Sequence, residues 1–333
     1  MNDKIMRTRP KVIVTRKLPD TIETRMAELF DVQLNLADIP MDQNALIEAA
    51  RTADVLVPTV TDNIDADVIQ AGKANLKLIA NFGAGVNHID VATARNAGIT
   101  VTNTPGVLTE DTADLAMALL LSVPRRIFEG EKILRAGDWS GWAPTFLMGH
   151  RIQGKRLGII GMGRIGQAIA KRAKAFNIAV HYHKRNRLPA ETESELEATY
   201  WDNLDEMLSA VDIVTLHTPS TEKTRNIINK ERLALMKDDA YLVNLARPNL
   251  IDEKALIEAV QLGEISGAAL DVFEHHKVIN PALLDLARQD KIVLTAHMGS
   301  ATLEGRIEMG ETVIVNMRAF LDGHQPPHRV LPD

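Results

Sequence analysis

Short apolar runs of strand length recur along the chain, and most are followed by a stretch whose apolar residues repeat at helical spacing. The run at 11–15 reads as a buried strand, and 21–30 follows it as a helix with charged residues on its outer face. Strands are expected again at 54–58, 76–80 and 99–103, with a helix over 66–73 that Gly72 helps to end. The strand at 76–80 runs into Phe82-Gly83-Ala84-Gly85-Val86, and the one at 99–103 stops at Thr104-Pro105-Gly106. A second series follows, with strands at 157–160, 179–182, 213–216, 241–245, 267–270 and 292–294 and helical stretches between them. Alternation of this kind predicts parallel sheets covered by helices on both faces, and the restart near residue 157 predicts two domains.

Two helices separate the series. The one at 111–123 is apolar nearly all round, which marks it as core or interface, and Pro124 ends it. The helix at 125–136 is more polar and leads into a loop at 137–142 with Trp139 and Trp142, two of the three tryptophans. Those side chains either pack under the loop or face a protein partner. The stretch 302–321 is helical with no strand after it, so one economical arrangement returns it to the first domain before the Pro326-Pro327 tail.

Composition narrows the function classes. A chain of 333 residues, 45% hydrophobic and 25% charged, suits a soluble globular protein of two ordinary domains. No apolar run approaches the length of about 18 residues that spans a bilayer, and the polar, basic start lacks the apolar segment of an export signal. The absence of cysteine excludes disulfides and thiolate metal sites, so the cytoplasm is the expected compartment. A net charge of -6 argues against general nucleic-acid binding, which needs a basic face.

The stretch around Gly161-Met162-Gly163-Arg164-Ile165-Gly166 carries the clearest chemistry. It follows an apolar strand and opens a helix, the context of a dinucleotide-binding turn. Gly161 would permit the tight turn, Gly163 the approach of a pyrophosphate, and Gly166 close packing of helix on strand. The helix N-terminus adds free N–H groups and the positive end of a dipole. Gly83, Ala84, Gly85 and Val86 form a second glycine-bearing turn, which can present N–H groups to a carboxylate or can serve a backbone needing positive φ.

Taken in order, several motifs resemble the D-isomer-specific 2-hydroxyacid dehydrogenase family, and within it the glyoxylate and hydroxypyruvate reductase branch. They are the segments 82–90, 102–113, 161–166, Leu216-His217-Thr218-Pro219, Asn244-Leu245-Ala246-Arg247, 267–273 and Thr295-Ala296-His297-Met298-Gly299. The segment 137–144, with Trp139 and Trp142, resembles the same branch, where an aromatic of this loop reaches the neighbouring subunit.

The resemblance implies an α/β fold of two doubly wound, parallel-sheet (Rossmann-like) domains with an active-site cleft between them. A substrate domain would comprise 1–103 completed by 302–333, and 104–301 would bind the dinucleotide. It implies reduction of a small 2-keto acid by an NAD(P)-dependent oxidoreductase, a homodimer, giving the D-hydroxy acid where the product is chiral. Arg247, ending an apolar strand, would bind the carboxylate and polarise the carbonyl with its planar fork. His297 would be the acid/base. The backbone of Ala84, Gly85 and Val86 would bind substrate; Leu56, Trp139 and Met298 either line the pocket or are plain packing. Thr109, Thr218, Pro219, Leu245, Ala246, Asp271 and Gly299 would contact the cofactor, and Arg164 and Ile165 would flank its pyrophosphate.

Cofactor choice turns on the residue roughly 20 positions beyond the glycines, acidic where NAD is preferred. Here the chain reads His183-Lys184-Arg185-Asn186-Arg187, and its basic side chains would attract a 2′-phosphate, so NADPH is expected over NADH. An opposing expectation is a catalytically weak, NAD(P)-sensing binding protein of corepressor type; the presence of both Arg247 and His297 favours the enzyme. No metal is expected, since the adjacent His275 and His276 have no nearby third ligand.

Three positions depart from the family pattern: Pro248 stands for a glycine, Ala296 for a proline, and His276-Lys277 for a glutamate-proline pair. The glutamate would orient the catalytic histidine and favour its protonated form, whereas His276 supplies no negative charge. Glu274 could substitute, or the enzyme could work at lower pH. Replacing His276 by glutamate is therefore expected to extend reduction to higher pH, which a pH profile of the reaction rate checks.

Overall fold

The computed structural model describes residues 9–274 and 278–331. The chain divides into two compact units, one of residues up to 108 with those from 302 onward, the other of 109–301. In the first unit the order is β1 (Lys11–Val14), α1 (Asp20–Leu29), β2 (Asp31–Gln33), α2 (Gln43–Thr52), β3 (Val55–Val57), α3 (Ala66–Gly72), β4 (Leu78–Ala80), α4 (Val91–Asn96) and β5 (Thr100–Thr102). The sheet runs β2-β1-β3-β4-β5, all parallel.

Its interior strands are apolar on both faces, which is why they read as unbroken hydrophobic runs. Val12, Val14, Val55, Val57, Leu78 and Ala80 enter one core, while Ile13, Leu56 and Ile79 enter the other, the period of two that a strand imposes. Asp42, Asp65 and Asp90 cap α2, α3 and α4 by accepting from backbone N–H groups one turn in.

The second unit contains α5 (Thr109–Ser122), α6 (Ile127–Ala136), β6 (Arg156–Ile160), α7 (Arg164–Ala175), β7 (Ala179–His183), α8 (Ala190–Leu196), β8 (Ala198–Tyr200), α9 (Leu204–Ala210), β9 (Ile213–Leu216), α10 (Lys230–Leu233), β10 (Tyr241–Asn244), α11 (Glu253–Leu262), β11 (Gly267–Leu270), α12 (Pro281–Arg288) and β12 (Ile292–Leu294). Its seven strands are parallel in the order β12-β11-β10-β9-β6-β7-β8. Strand order therefore reverses between β6 and β9, and in open α/β sheets a crevice at such a reversal receives ligands. Side chains of α5 and α7 share one core with Ile159 and Tyr182; those of α9, α11 and α12 share the other with Leu216 and Leu270.

The last helix, α13 (Leu303–Leu321), is part of the first unit, where Met309, Val313, Ile314 and Met317 pack on the sheet beside α1. Gly310 makes that approach possible, since a Cβ there would lie 2.5 Å from the Ile22 side chain. The tail then runs back along β5, where Val330 N–H donates to Val101 O at 2.8 Å. Among the described residues no helix is long and apolar enough to cross a membrane, and no group of three or more His, Asp or Glu could hold a metal.

Candidate active site

The glycine turn sits at the strand reversal. Gly161 follows β6 with φ +100°, and a Cβ on it would lie 2.5 Å from the backbone carbonyl of His217, just past β9. Gly166 is equally constrained, because its Cβ would come within 2.4 Å of Gly161 O. Gly163 is different: a Cβ there meets nothing within 4 Å. The protein's own packing does not require that glycine, so the space it leaves suits a bound group.

Gly163 also precedes α7, whose N-terminus has no side-chain cap; Arg164 and Ile165 open the helix, the first exposed and the second half-buried. Its first N–H groups thus remain for an anion. The neighbouring strand ends are laced together, Gly161 N–H donating to His183 O at 3.0 Å and His217 N–H to Ile160 O at 2.8 Å. The His217 imidazole pairs with the Thr215 hydroxyl at 2.7 Å, and burial pushes its pKa down to about 3, so it brings no charge to the turn. Thr218 and Pro219 continue this wall.

At the end of β7, His183 Nδ1 lies 3.0 Å from Trp201 O. Lys184 is half-buried and Arg185 exposed, and among the described residues neither is in an ion pair. Arg187 is committed elsewhere. Its guanidinium grips Glu193 at 2.8 and 2.9 Å and lies 5.4 Å from the centre of the Tyr200 ring. Glu193 also accepts from the fully buried Tyr182 hydroxyl, whose pKa is pushed up to about 12 by burial and then by that carboxylate. Lys184 and Arg185 are the basic side chains of this turn left to meet a ligand.

Arg247 follows β10. The buried Asn244 amide donates to Arg247 O at 2.8 Å and accepts from Ala246 N–H at 3.0 Å, fixing the backbone that carries the arginine. Arg247 itself is extended (φ −145°, ψ 143°) and Pro248 opens a short 3₁₀ turn, Pro248–Leu250. A proline is well tolerated there, since the first position of a helical turn needs no N–H and the residue before proline favours extended backbone. The guanidinium is half-buried and donates to Ala246 O at 2.6 Å; burial lowers its pKa from the ordinary arginine value, and arginine remains charged. Leu245 is buried beside the half-buried Ala246.

Asp271, the residue after β11, is fully buried. Its carboxylate accepts from Thr295 Oγ1 at 2.6 Å, Met298 N–H at 2.8 Å and Gly299 N–H at 2.9 Å, while its own N–H donates to Asn244 O at 2.9 Å. The loop so gathered carries His297, exposed and with φ +54°, a left-handed conformation that few residues other than glycine adopt. Thr112 of α5 adds a bond to Gly299 O at 3.0 Å, and Thr109 is the first, half-buried residue of the same helix. Arg247 and His297 therefore stand on loops joined through Asn244 and Asp271. His276 lies outside the described residues.

In the first unit, Ala84 is exposed and Gly85 and Val86 are half-buried in the loop after β4. Leu56 is a correction: it is 0% exposed in the middle of β3, among Ile13, Ile79 and Val68, and is a core side chain rather than a pocket lining. Trp139 and Trp142 do not pack under their loop, being 52% and 82% exposed. The buried amides of Asn244 and Asn81 were not singled out in the sequence; the signal available was a polar residue at or just past the end of an apolar strand.

A parallel sheet with a glycine turn at its reversal, a basic turn one strand away, and an arginine and a histidine on tied loops defines a dinucleotide-dependent oxidoreductase. The model of the D-isomer specific 2-hydroxyacid dehydrogenase NAD-binding domain matches residues 117–299. The glyoxylate reductase of Thermococcus litoralis is 42% identical over 329 residues, 98% of each chain. A Polaromonas structure described as a D-isomer specific 2-hydroxyacid dehydrogenase superposes with a TM-score of 0.90 at 39% identity, covering 97% of this chain and 99% of that one. An NADPH-dependent glyoxylate/hydroxypyruvate reductase of Sinorhizobium meliloti, solved with NADP and malonate, gives 0.86 at 32% identity over 97% of each. This chain belongs to the D-isomer-specific 2-hydroxyacid dehydrogenases.

The three glycines differ in what a methyl group should do. Gly166→Ala is expected to lower folding stability by about 1–3 kcal/mol through overpacking. Gly163→Ala should melt like the parent yet bind dinucleotide more weakly. Thermal melts beside nucleotide titrations separate the two.

Proposed function

We propose that this chain reduces glyoxylate or hydroxypyruvate to the corresponding 2-hydroxy acid, the D-isomer where the product is chiral, and that it prefers NADPH to NADH. The observation that carries this reading is the pairing of Arg247 and His297 on loops tied by Asn244 and Asp271, in the unit that bears the glycine turn. The full-length likeness to proteins named glyoxylate reductase supports the choice of substrate.

The nicotinamide, when bound, supplies the hydride. Arg247 holds the substrate carboxylate and draws electron density from the keto oxygen, which lowers the barrier as that oxygen gains charge. His297 gives the oxygen its proton. Ala84, Gly85 and Val86 offer backbone N–H groups to the carboxylate. Gly161, Gly163, Arg164, Ile165 and Gly166 take the pyrophosphate, with Thr109, Thr218, Pro219, Leu245, Ala246, Asp271 and Gly299 along the cofactor. Lys184 and Arg185, next to His183, take the 2′-phosphate, and Arg187, paired with Glu193, braces the turn.

We further propose a cytoplasmic homodimer. No residue of α6 is buried, although its apolar residues are segregated to one face. Ile127, Phe128 and Leu134 of this helix are exposed, as are Trp142 and Met148 of the segment after it, and a second copy would cover them.

Absorbance of the reduced nucleotide with glyoxylate present tests the reaction, and a protein that binds NADPH without consuming it would contradict the proposal. Charge-assisted bonds to a phosphate are worth about 1.5–3 kcal/mol, so Lys184→Ala with Arg185→Ala should raise the KM for NADPH by at least about tenfold and leave that for NADH nearly unchanged. Sedimentation should report a dimer that Trp142→Arg or Phe128→Asp shifts toward monomer; a parent protein that sediments as a monomer would exclude this assembly.

A further inference from the structure

The loop after β4 is one-sided in its hydrogen bonding. Gly83 O accepts from the Asn81 amide at 2.9 Å and from Thr104 N–H at 3.0 Å, and Gly85 O accepts from the same Asn81 amide at 2.9 Å. Ala84 O accepts from the Asn103 amide at 2.7 Å, and Val86 O from Ile89 N–H at 3.0 Å. Every carbonyl from Gly83 to Val86 is thus occupied, while the N–H groups of Ala84, Gly85 and Val86 have no acceptor among the described residues. Successive N–H groups without protein acceptors make a partial positive charge that suits an anion.

Asn81 is the centre of this arrangement. It is 0% exposed, its Nδ2 spans two carbonyls, and its Oδ1 lies 3.0 Å from His88 Nε2. Two acceptors on one side and a ring nitrogen on the other leave one orientation for the amide, and they place the donated hydrogen on His88 Nε2. An alanine at position 81 would release Gly85 O and leave Gly83 O with the Thr104 N–H as its one remaining donor. An aspartate would set a carboxylate oxygen against them.

We propose that Asn81 is a positioning residue for the substrate carboxylate. By holding the carbonyls of Gly83 and Gly85 inward it keeps the N–H groups of Ala84, Gly85 and Val86 available together, and Asn103 does the same for Ala84 O. The proposal rests on the keto-acid reading above and deepens it. Asn81 does not touch the substrate, so its removal weakens recognition of the carboxylate and leaves proton and hydride transfer intact.

The test compares the full-length parent, Asn81→Ala and Asn103→Ala in glyoxylate reduction at saturating NADPH, with oxalate as an unreactive competitor. Asn81→Ala should raise the glyoxylate KM and the oxalate inhibition constant together by about tenfold, the size of a lost charge-assisted bond, while kcat and the KM for NADPH stay within about twofold. An unchanged glyoxylate KM overturns the proposal. So does a parallel loss in kcat, NADPH affinity and thermal stability, which would mark Asn81 as general scaffolding. Should Asn81→Ala fail to fold, Asn103→Ala, which frees a single carbonyl, is read by the same criteria. A parent protein that reduces no 2-keto acid with either nucleotide refutes the keto-acid reading instead, and calorimetric binding of oxalate to parent and variant then decides the role of Asn81.

Discussion

A carboxylate with no solvent contact must find donors for its oxygens or lose several kcal/mol of solvation, and Asp271 finds them in one loop. The Thr295 hydroxyl and the N–H groups of Met298 and Gly299 can all reach it only if the chain between them folds tightly, and His297 falls at the bend with a positive φ. Such a conformation is costly for a histidine and persists because the surrounding bonds over-determine it. The N–H of Asp271 is spent on Asn244, which in turn pins Arg247. One buried charge thereby couples the geometry of two loops on different strands.

Side-chain amides recur where strands give way to functional loops. Asn81 and Asn244 are fully buried directly after β4 and at the end of β10, Asn103 follows β5, and Asn316 of α13 donates to Asn103 O at 3.1 Å. An amide both donates and accepts without carrying charge, so it can tie a carbonyl to an N–H at no electrostatic cost to a nearby anion. A carboxylate in the same place would repel a substrate carboxylate, and a lysine would compete for it.

The interior of both sheets was legible in the sequence because strands buried on both faces read as apolar runs, and the three glycines stood out because they follow one of them. Two of the four edge strands, β2 and β8, were not. Asp31–Gln33 has a single apolar residue, and Ala198–Tyr200 lies in a polar stretch, so neither carries a period that propensity alone would mark. Leu56 was misplaced because burial at mid-strand depends on which helix covers it. Arg187 counted as a free cation until the fold brought Glu193 beneath it, a pairing that sequence spacing does not encode. The bridging roles of Asn81 and Asn244 were not legible for the same reason, since an amide's role resides in its partners.

Pro248 carries a consequence beyond its fit to the 3₁₀ turn. A glycine at that position lets the chain on either side sample many conformations before folding, whereas the pyrrolidine ring holds itself and restrains Arg247 to extended backbone even in the unfolded chain. Less conformational entropy is then lost when this segment folds. The guanidinium is carried on a backbone that is restrained before folding by the proline and after folding by Asn244.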